Sequence, residues 1–258
     1  MYQKFKSYIR YFLRRKTKYS VHAPFVFDFI TKCLENPIPK TEFSKFLHYR
    51  NSYLNSNENV LVTDFGAGSQ IFNSNTRKVK DIALIAGMSL AKAKIMFKLL
   101  QYFNPNSVLE IGTSIGISTG LFKIASPNIH ITTLEGCSQT AQKAKEFFNV
   151  NHFDNIKQVV GEFSQTLPEV INHQKYDLVF FDGNHRKEPT LEYFNSCLKV
   201  VQNNTLFIFD DIHWSEDMEE AWDLICRHSM VSVSIDLYDV GLVFFRKEST
   251  KQHFILKK

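Results

Sequence analysis

From Ser107 onward, short apolar runs alternate with segments of helical periodicity, and this alternation constrains the fold of the 258-residue chain more than any other feature. Such alternation is typical of a parallel sheet whose strands are joined by crossover helices. The predicted strands cover residues 108–111, 129–134, 156–160, 178–181 and 206–209, and the predicted helices cover residues 117–125, 138–150, 163–171, 189–200 and 215–228.

Two further apolar runs follow the last predicted helix. They cover residues 231–237 and 242–245, and the short connection between them suits an antiparallel pair. The sequence therefore predicts an α/β fold with five parallel strands and a C-terminal antiparallel hairpin.

Most of the predicted strands end in an acid beside a glycine. Glycine is scarce in this chain, with ten residues in 258, so the positions of its glycines are informative. Open α/β sheets bind ligands at the carboxyl ends of their strands, and these residues therefore predict a binding site at that edge. The pairs are Glu110 with Gly112, Glu135 with Gly136, Gly161 with Glu162, and Asp182 with Gly183, and the fifth strand ends in Asp210 and Asp211.

The loop after the first strand differs from the dinucleotide-binding fingerprint G-x-G-x-x-G. Ser114 and Ile117 stand where that fingerprint has its second and third glycines, which a pyrophosphate needs for close approach. The loop carries instead an acid, Glu110, two residues before Gly112. A carboxylate at this position suits a cationic ligand better than a pyrophosphate.

This stretch resembles motif I of the class I S-adenosylmethionine-dependent methyltransferases, usually E/D-x-G-x-G-x-G, with Ser114 in place of the middle glycine. The resemblance covers residues 106–246 and implies a Rossmann-like methyltransferase sheet. It also implies S-adenosylmethionine as cofactor, with its cationic sulfonium and ammonium groups. Glu135 is then placed to bind the ribose hydroxyls, as the equivalent acid does in nucleotide folds, and Glu162 is placed near the adenine. The implied cofactor-binding residues are Glu110, Gly112, Thr113, Ser114, Gly116, Glu135, Gly136, Glu162 and Asp182.

Three carboxylates follow the fourth and fifth predicted strands. Asp182, Asp210 and Asp211 resemble the metal ligands of the cation-dependent, catechol-type O-methyltransferases, with Asp-Asp where that family has Asp-Asn. Hard oxygen ligands of this kind suit Mg²⁺. In the competing interpretation, Asp182 and Asp210 contact the methionine part of the cofactor or cap loops, and no metal binds.

The resemblance also points to a catalytic base. His185 stands where the catechol-type enzymes have a lysine, three residues after the first metal acid. An imidazole with an ordinary pKa of about 6.5 can accept a proton near neutral pH. We therefore expect His185 and Asp182 to be the catalytic residues.

The basic character of the chain lies at its N-terminus. Residues 1–18 contain seven basic residues and no acid, which leaves 24 basic and 26 acidic residues in the rest of the chain. Residues 2–15 are predicted to form an amphipathic basic helix whose apolar stripe packs on the body of the protein while its cations are solvated. In the alternative interpretation, the helix contacts a membrane surface or nucleic acid. The stripe consists of Phe5, Tyr8, Ile9, Phe12 and Leu13.

The region before the sheet is predicted to be a separate part of the molecule. Residues 1–104 are expected to form an N-terminal helical cap or lid, and residues 105–258 the cofactor-binding domain. Within the cap, the segment from Asp64 to Ser69 imitates motif I, but the sequence after it is polar and rich in asparagine. We interpret this segment as a loop of the cap, with a second nucleotide site as the alternative, and a lid over the substrate is a further hypothesis for this loop.

The four cysteines lie far apart, without the paired spacing of a zinc site or a disulfide framework. No apolar run approaches the roughly 18 residues that span a bilayer, and the chain does not begin like a signal peptide. The sequence therefore predicts a cytoplasmic location.

Together these features predict an S-adenosylmethionine-dependent methyltransferase that acts on an oxygen of a small hydroxylated acceptor, with assistance from Mg²⁺. Two alternatives stay open: a nitrogen, lipid or macromolecular acceptor recruited by the basic helix, and a non-catalytic relic that binds cofactor. The sequence carries no strong signal for nucleic-acid binding. A membrane surface contacted through residues 2–15 and a second copy of the chain are further candidate partners.

Overall fold

The computed structural model describes residues 2–63, 74–172 and 174–258, which fold into two compact units. The central unit is Pro37–Val170, and the terminal unit combines Met1–Asn36 with Ile171–Lys258. The expected boundary between residues 104 and 105 therefore falls inside the central unit. The fold class is α/β with an eight-stranded, mostly parallel sheet, as the sequence predicts.

The terminal unit begins with two helical segments. Helix α1 spans Tyr2–Arg14, and α2 spans Pro24–Phe29 and continues as a π-helical turn at Ile30–Leu34. Between them, the amide of Lys16 donates to the carbonyl of Ile255 at 2.7 Å, and Lys16 forms a parallel bridge with Leu256. The beginning and the end of the chain are thus hydrogen-bonded to each other.

In its described residues, the central unit contains six helices, a pair of short strands and three parallel strands. In chain order the elements are α3 (Lys40–Leu54), β1 (Asn59–Leu61), β2 (Thr76–Lys78), α4 (Val79–Ile85), α5 (Leu90–Phe103), β3 (Ser107–Ile111), α6 (Ile117–Ala125), β4 (His130–Glu135), α7 (Ser138–Val150), β5 (Ile156–Val160) and α8 (Phe163–Ile171). Strands β1 and β2 are antiparallel, whereas β4 lies between β3 and β5 and is parallel to both.

Local sequence signals account for both ends of α5. The hydroxyl of Ser89 accepts a hydrogen bond from the amide of Lys92 at 3.2 Å, which caps the first turn of α5. Asn104 ends that helix in the left-handed conformation, with φ of 44°. The predicted spans of α6, α7 and α8 are confirmed to the residue.

The rest of the terminal unit contains two parallel strands and a three-stranded extension. Its elements are β6 (Leu178–Phe181), α9 (Lys187–Cys197), β7 (Leu206–Asp210), α10 (Glu216–Arg227), β8 (Val233–Asp236), β9 (Val240–Phe244) and β10 (Gln252–Ile255). Strand β6 is parallel to β7, and β9 is antiparallel to both β7 and β8, which confirms the predicted hairpin. The sequence analysis missed β10, which is parallel to β8.

Burial follows from the position of each strand in the sheet. Every residue of β6, β7 and β9 is buried, as expected for strands covered on both faces. Strand β10 has one buried residue, Phe254, and this polar composition is why it gives no apolar run. Within the described residues, no helix is both long and apolar enough to cross a membrane.

The side of helix α1 that faces the body of the protein differs from the side that the sequence analysis predicted. Its inward-facing side chains are Ser7 and Tyr11, both almost fully buried. The five residues of the apolar stripe are exposed, and of these Tyr8 also contacts the body through the Tyr238 ring, 5.1 Å away edge-on. The interpretation that the whole stripe packs on the body is therefore wrong. A polar hydroxyl side of the helix faces inward instead.

Candidate functional site

The loop between β3 and α6, residues 112–116, has a backbone that favours glycine at three positions. The φ angles are 108° at Gly112, 49° at Ser114 and 90° at Gly116. A left-handed conformation costs a residue with a Cβ roughly 1–2 kcal/mol, so Ser114 is strained where the methyltransferase motif has its middle glycine. This sharp loop exposes Ser114 at its outer turn.

Gly116 is required by packing as well as by its backbone. A Cβ at this position would lie 2.6 Å from the ring of Phe148. The Gly116 carbonyl accepts a hydrogen bond from the buried Tyr49 hydroxyl at 2.8 Å. The loop is therefore held from α7 through Phe148 and from α3 through Tyr49.

Glu110 lies fully buried at the end of β3, behind the loop. Its carboxylate accepts hydrogen bonds from Ser118 at 2.5 Å, from Thr133 at 2.7 Å and from Thr119. Burial raises the pKa of Glu110 to about 7, although these three hydroxyls oppose the shift. These hydrogen bonds connect the first turn of α6 with β3 and β4, so Glu110 positions the loop. The predicted contact of Glu110 with a ligand stays a prediction.

Thr113 also turns its side chain into the sheet. Its hydroxyl shares a hydrogen bond with the hydroxyl of Thr133 at 2.5 Å and donates to the carbonyl of Leu134 at 3.1 Å. Its amide also donates to the carbonyl of Leu134 at 3.0 Å, and its carbonyl accepts from the amide of Gly116 at 2.9 Å, so the predicted contact of Thr113 with the cofactor stays a prediction.

Glu135, at the end of β4, connects the loop to the start of α7. Its Oε2 atom accepts from the amide of Ser114 at 2.7 Å, and its Oε1 atom accepts from the amide of Cys137 at 2.9 Å and from the hydroxyl of Thr140 at 3.1 Å. These bonds hold the carboxylate at the end of β4, and its predicted contact with the ribose hydroxyls stays a prediction. Glu135 and Gly136 are half-buried.

Glu162 follows β5 and stands at the start of α8. Its carbonyl accepts the amides of Gln165 and Thr166 at 3.0 Å, and its carboxylate is exposed. The preceding Gly161 has φ of 148° and donates its amide to the carbonyl of Glu135 at 2.9 Å. The carboxyl ends of β3, β4 and β5 thus place Glu135, Glu162 and the glycine loop at one edge of the central unit.

In the terminal unit, two of the predicted acids follow neighbouring strands. Phe181 and Phe209 are register partners in β6 and β7, so the residues after them, Asp182 and Asp210, lie at the same edge. Asp210 is buried and Asp182 is half-buried. Asp211 has φ of 51° and donates its amide to the carbonyl of Asp239 at 2.9 Å.

These acids do not converge on a point. Among the residues that the structure describes, no three His, Cys, Asp or Glu side chains form a group that could hold a metal ion. As arranged, Asp182, Asp210 and Asp211 do not fit a magnesium ion. The magnesium site stays a prediction from the sequence.

His185 lies beside Asp182 in the loop after β6. Its Nε2 atom is 3.6 Å from the Asp182 Oδ1 atom, and the two side chains are about one quarter exposed, at 27% and 26%. Asn184 and His185 have φ angles of 68° and 27°, in the left-handed region that costs energy and often marks functional loops. The two side chains are neighbours without a direct hydrogen bond between these two atoms, and their catalytic roles stay a prediction.

The sequence analysis did not identify His213, which lies between two acids. Its Nδ1 atom lies 2.9 Å from Glu219 Oε1, and its Nε2 atom lies 2.9 Å from Asp236 Oδ2. Burial lowers the pKa of His213, but the hydrogen bonds and charges of Asp236 and Glu219 outweigh burial and raise it. His213 therefore links the segment after β7 to α10 and β8, and no local sequence signal points to Asp236.

The segment that imitates motif I belongs to the predicted cap. The segment from Asp64 to Ser69 lies outside the described residues, as do residues 70–73. At its described edge, the amide of Thr63 donates to the Cys137 sulfur at 3.3 Å.

Comparisons with known proteins agree with the fold described above. Residues 109–212 match the model of a protein family described as a methyltransferase domain. The chain is similar to the solved SAH-bound methyltransferase PaMTH1 of Podospora anserina, with 16% identity, a TM-score of 0.59 and coverage of 88% of this chain and 97% of that one.

Two further solved structures are similar. The O-methyltransferase of Bacillus cereus, in complex with SAH, has 18% identity and a TM-score of 0.53 over 85% of this chain and 97% of that one. The O-methyltransferase TomG of Streptomyces achromogenes, in complex with SAM and involved in tomaymycin synthesis, has 20% identity and a TM-score of 0.53 over 62% of this chain and 81% of that one. At these identities the likeness shows a shared fold.

Proposed function

Because residues 109–212 are a methyltransferase domain in a chain with the class I, S-adenosylmethionine-dependent fold, we propose that this protein methylates an oxygen of a small hydroxylated molecule. The predicted enzyme class and fold are confirmed. The observation that carries the proposal is the glycine loop after β3, whose backbone is left-handed at Gly112, Ser114 and Gly116 and which exposes Ser114. The proteins from Bacillus cereus and Streptomyces achromogenes have a similar fold, and their structures are complexes with SAH and with SAM.

The central unit supplies the groups that recognise the methyl donor in this proposal. The backbone of residues 112–116 approaches the methionine part, Glu135 accepts the ribose hydroxyls, and Glu162 lies near the adenine. The hydrogen bond from the Ser114 amide to Glu135 keeps the loop and the ribose-binding carboxylate in one arrangement. Preorganised groups of this kind lower the entropic cost of binding.

The loop after β6 supplies the proton acceptor in this proposal. When bound, S-adenosylmethionine would supply the methyl group, and its carbon–sulfur bond would break with the electron pair remaining on sulfur. His185 would accept the proton that the acceptor hydroxyl loses as its oxygen attacks the methyl carbon. S-Adenosylhomocysteine and the methyl ether are the products. Asp182, 3.6 Å from the imidazole, orients the ring and stabilises the imidazolium that forms.

We test this role with the variant His185→Gln and measure transfer of a labelled methyl group to a panel of catechols and phenols. Loss of a positioned general base typically costs a factor of roughly 10²–10⁴, so we expect a fall in kcat of at least about 100-fold with little change in the KM for S-adenosylmethionine. His130→Gln, which changes an exposed histidine at the start of β4, is the matched control. Equal kcat values for His185→Gln and the wild type would contradict the role of His185.

The same assay tests the magnesium prediction. The sequence predicts that Asp182, Asp210 and Asp211 hold the ion, whereas their arrangement in the structure does not fit it. That prediction requires EDTA to abolish transfer and Mg²⁺ to restore it. Full activity in EDTA would contradict the predicted metal site and leave the His185 step intact, because that step uses no metal.

A further inference from the structure

Helix α1 carries an exposed apolar surface, which we call the α1 arc. At 100° per residue its five side chains fall within less than half of the helix circumference. They are Phe5 at 63%, Tyr8 at 42%, Ile9 at 42%, Phe12 at 50% and Leu13 at 77% exposed. Five neighbouring large apolar side chains on one exposed stripe are the pattern of an interaction surface.

The opposite side of α1 is fixed to its own unit by polar contacts. The Tyr11 hydroxyl donates to the carbonyl of Leu256 at 2.6 Å, and the Tyr238 hydroxyl donates to the carbonyl of Lys4 at 2.9 Å. The Lys4 ammonium lies 3.0 Å above the ring of Trp214. These contacts hold the helix with its arc outward, the reverse of what burial of apolar area alone would favour.

A second side of α1 faces the acids of α10. Lys6, Arg10 and Arg14 line a cavity of about 540 Å³ together with Glu216, Glu219, Glu220 and Asp223. Arg10 lies 3.5 Å from Glu219 in this cavity. The attraction across the cavity adds a further restraint on the rotation of α1.

Cations also lie beside the arc itself. The Arg15 guanidinium lies 3.9 Å from the centre of the Phe12 ring, and Lys16 is exposed just after the helix. Residues 1–18 hold seven cations and no acid. An apolar arc bordered by cations is the composition of helices that lie in the interfacial plane of a bilayer.

We propose that the α1 arc docks this protein on an anionic lipid surface, with the apolar side chains inserted at the headgroup boundary and Arg15 and Lys16 near lipid phosphates. This proposal does not rest on the methyltransferase reaction. A second copy is a poorer occupant, because a twofold contact through the arc would bring two strongly basic segments together. RNA is also poorer, because nucleic-acid binding by a basic helix makes no use of Ile9 or Leu13.

Sedimentation of the full chain with vesicles tests the proposal. The vesicles contain either phosphatidylcholine alone or equal parts of phosphatidylcholine and phosphatidylglycerol. We expect the wild type to sediment with the anionic vesicles and to remain in solution with the neutral ones, and added salt should weaken binding.

The double variant Phe5→Glu and Leu13→Glu should lower the partition coefficient for anionic vesicles by about tenfold or more, because both side chains lose their apolar insertion. Leu84→Glu is the matched control, since Leu84 is 68% exposed on α4 in the other unit, and it should bind as the wild type does. Circular dichroism confirms that each variant is folded.

Three results would overturn the proposal. They are wild type that stays in solution with both vesicles, a double variant that binds as tightly as the wild type, and self-association or RNA binding lost in the double variant without any vesicle binding. Calorimetric titration of each variant with S-adenosylmethionine separates the two claims, because docking can fail while cofactor binding is retained.

Discussion

The most constrained charged residue in the candidate site is Glu110. An acid two residues before a glycine loop is visible in the sequence, and it led us to expect a contact with a cationic ligand. Its partners could not be predicted, because Ser118 and Thr119 come from the first turn of α6 and Thr133 comes from the next strand. The structure shows a carboxylate that holds the loop in place from behind.

We predict that Glu110 makes the protein less stable as pH rises. Its pKa is about 7 in the folded state against 4.5 as the ordinary value, so the folded state keeps a proton that the unfolded state releases. The stabilising effect is fully present below about pH 4.5 and is lost as pH rises through about 7. Between pH 5 and 8, the free energy of unfolding should fall more in the wild type than in Glu110→Gln, by roughly 3 kcal/mol at most.

Urea unfolding at several pH values measures this difference. Glu162→Gln is the control, because this acid is exposed at the start of α8 and should leave the pH dependence as in the wild type. Parallel stability profiles for the wild type and Glu110→Gln would contradict the prediction.

At the scale of elements, the contact of α3 with α6 supports the glycine loop. A Cβ at Gly120 would lie 2.0 Å from the Tyr49 ring, so this glycine lets the two helices approach closely. The Tyr49 hydroxyl donates to the Gly116 carbonyl and is itself hydrogen-bonded to the hydroxyl of Tyr53. The Tyr53 ring stacks on Phe147 of α7 at 3.6 Å between ring centres.

We predict that Tyr49→Phe weakens cofactor binding. The substitution keeps the ring that fills the space at Gly120 and removes the hydrogen bond that fixes the Gly116 carbonyl, a contact worth about 1 kcal/mol. The dissociation constant for S-adenosylmethionine should rise by about fivefold. Titration calorimetry compares this variant with Tyr53→Phe, which leaves the bond to Gly116 and should change binding less.

A purely structural role for Tyr49 would give a different result. In that case the thermal midpoint would fall in Tyr49→Phe while the dissociation constant stayed at the wild-type value. A larger binding defect in Tyr53→Phe than in Tyr49→Phe would also count against the role of the Gly116 contact.

Element positions were predictable where the apolar period is regular, as in α6 and α7. Strand β10 was missed because only Phe254 of its four residues is buried. The predicted orientation of α1 was wrong for a different reason. A helical period shows which side of a helix is apolar, but it does not show which side faces the body of the protein. Tyr11 and Tyr238 decide that orientation through bonds to residues at the other end of the chain.

At the scale of the whole molecule, chain order and compact units do not coincide. The sequence suggested a cap at residues 1–104 followed by a domain, whereas residues 1–36 group with residues 171–258. Long-range pairing such as that of Lys16 with Leu256 leaves no local signal in the sequence. The α/β class was nevertheless predictable, because strand and helix periods alternate from Ser107 onward.

Titration calorimetry of the wild-type chain with S-adenosylmethionine and with S-adenosylhomocysteine tests the central claim most directly. We predict saturable binding of both ligands, and a loss of at least about tenfold in affinity in Gly116→Ala, whose Cβ would meet Phe148 on a backbone with φ of 90°. A folded wild-type chain that shows no binding of either ligand would contradict the assignment of this protein as an S-adenosylmethionine-dependent methyltransferase.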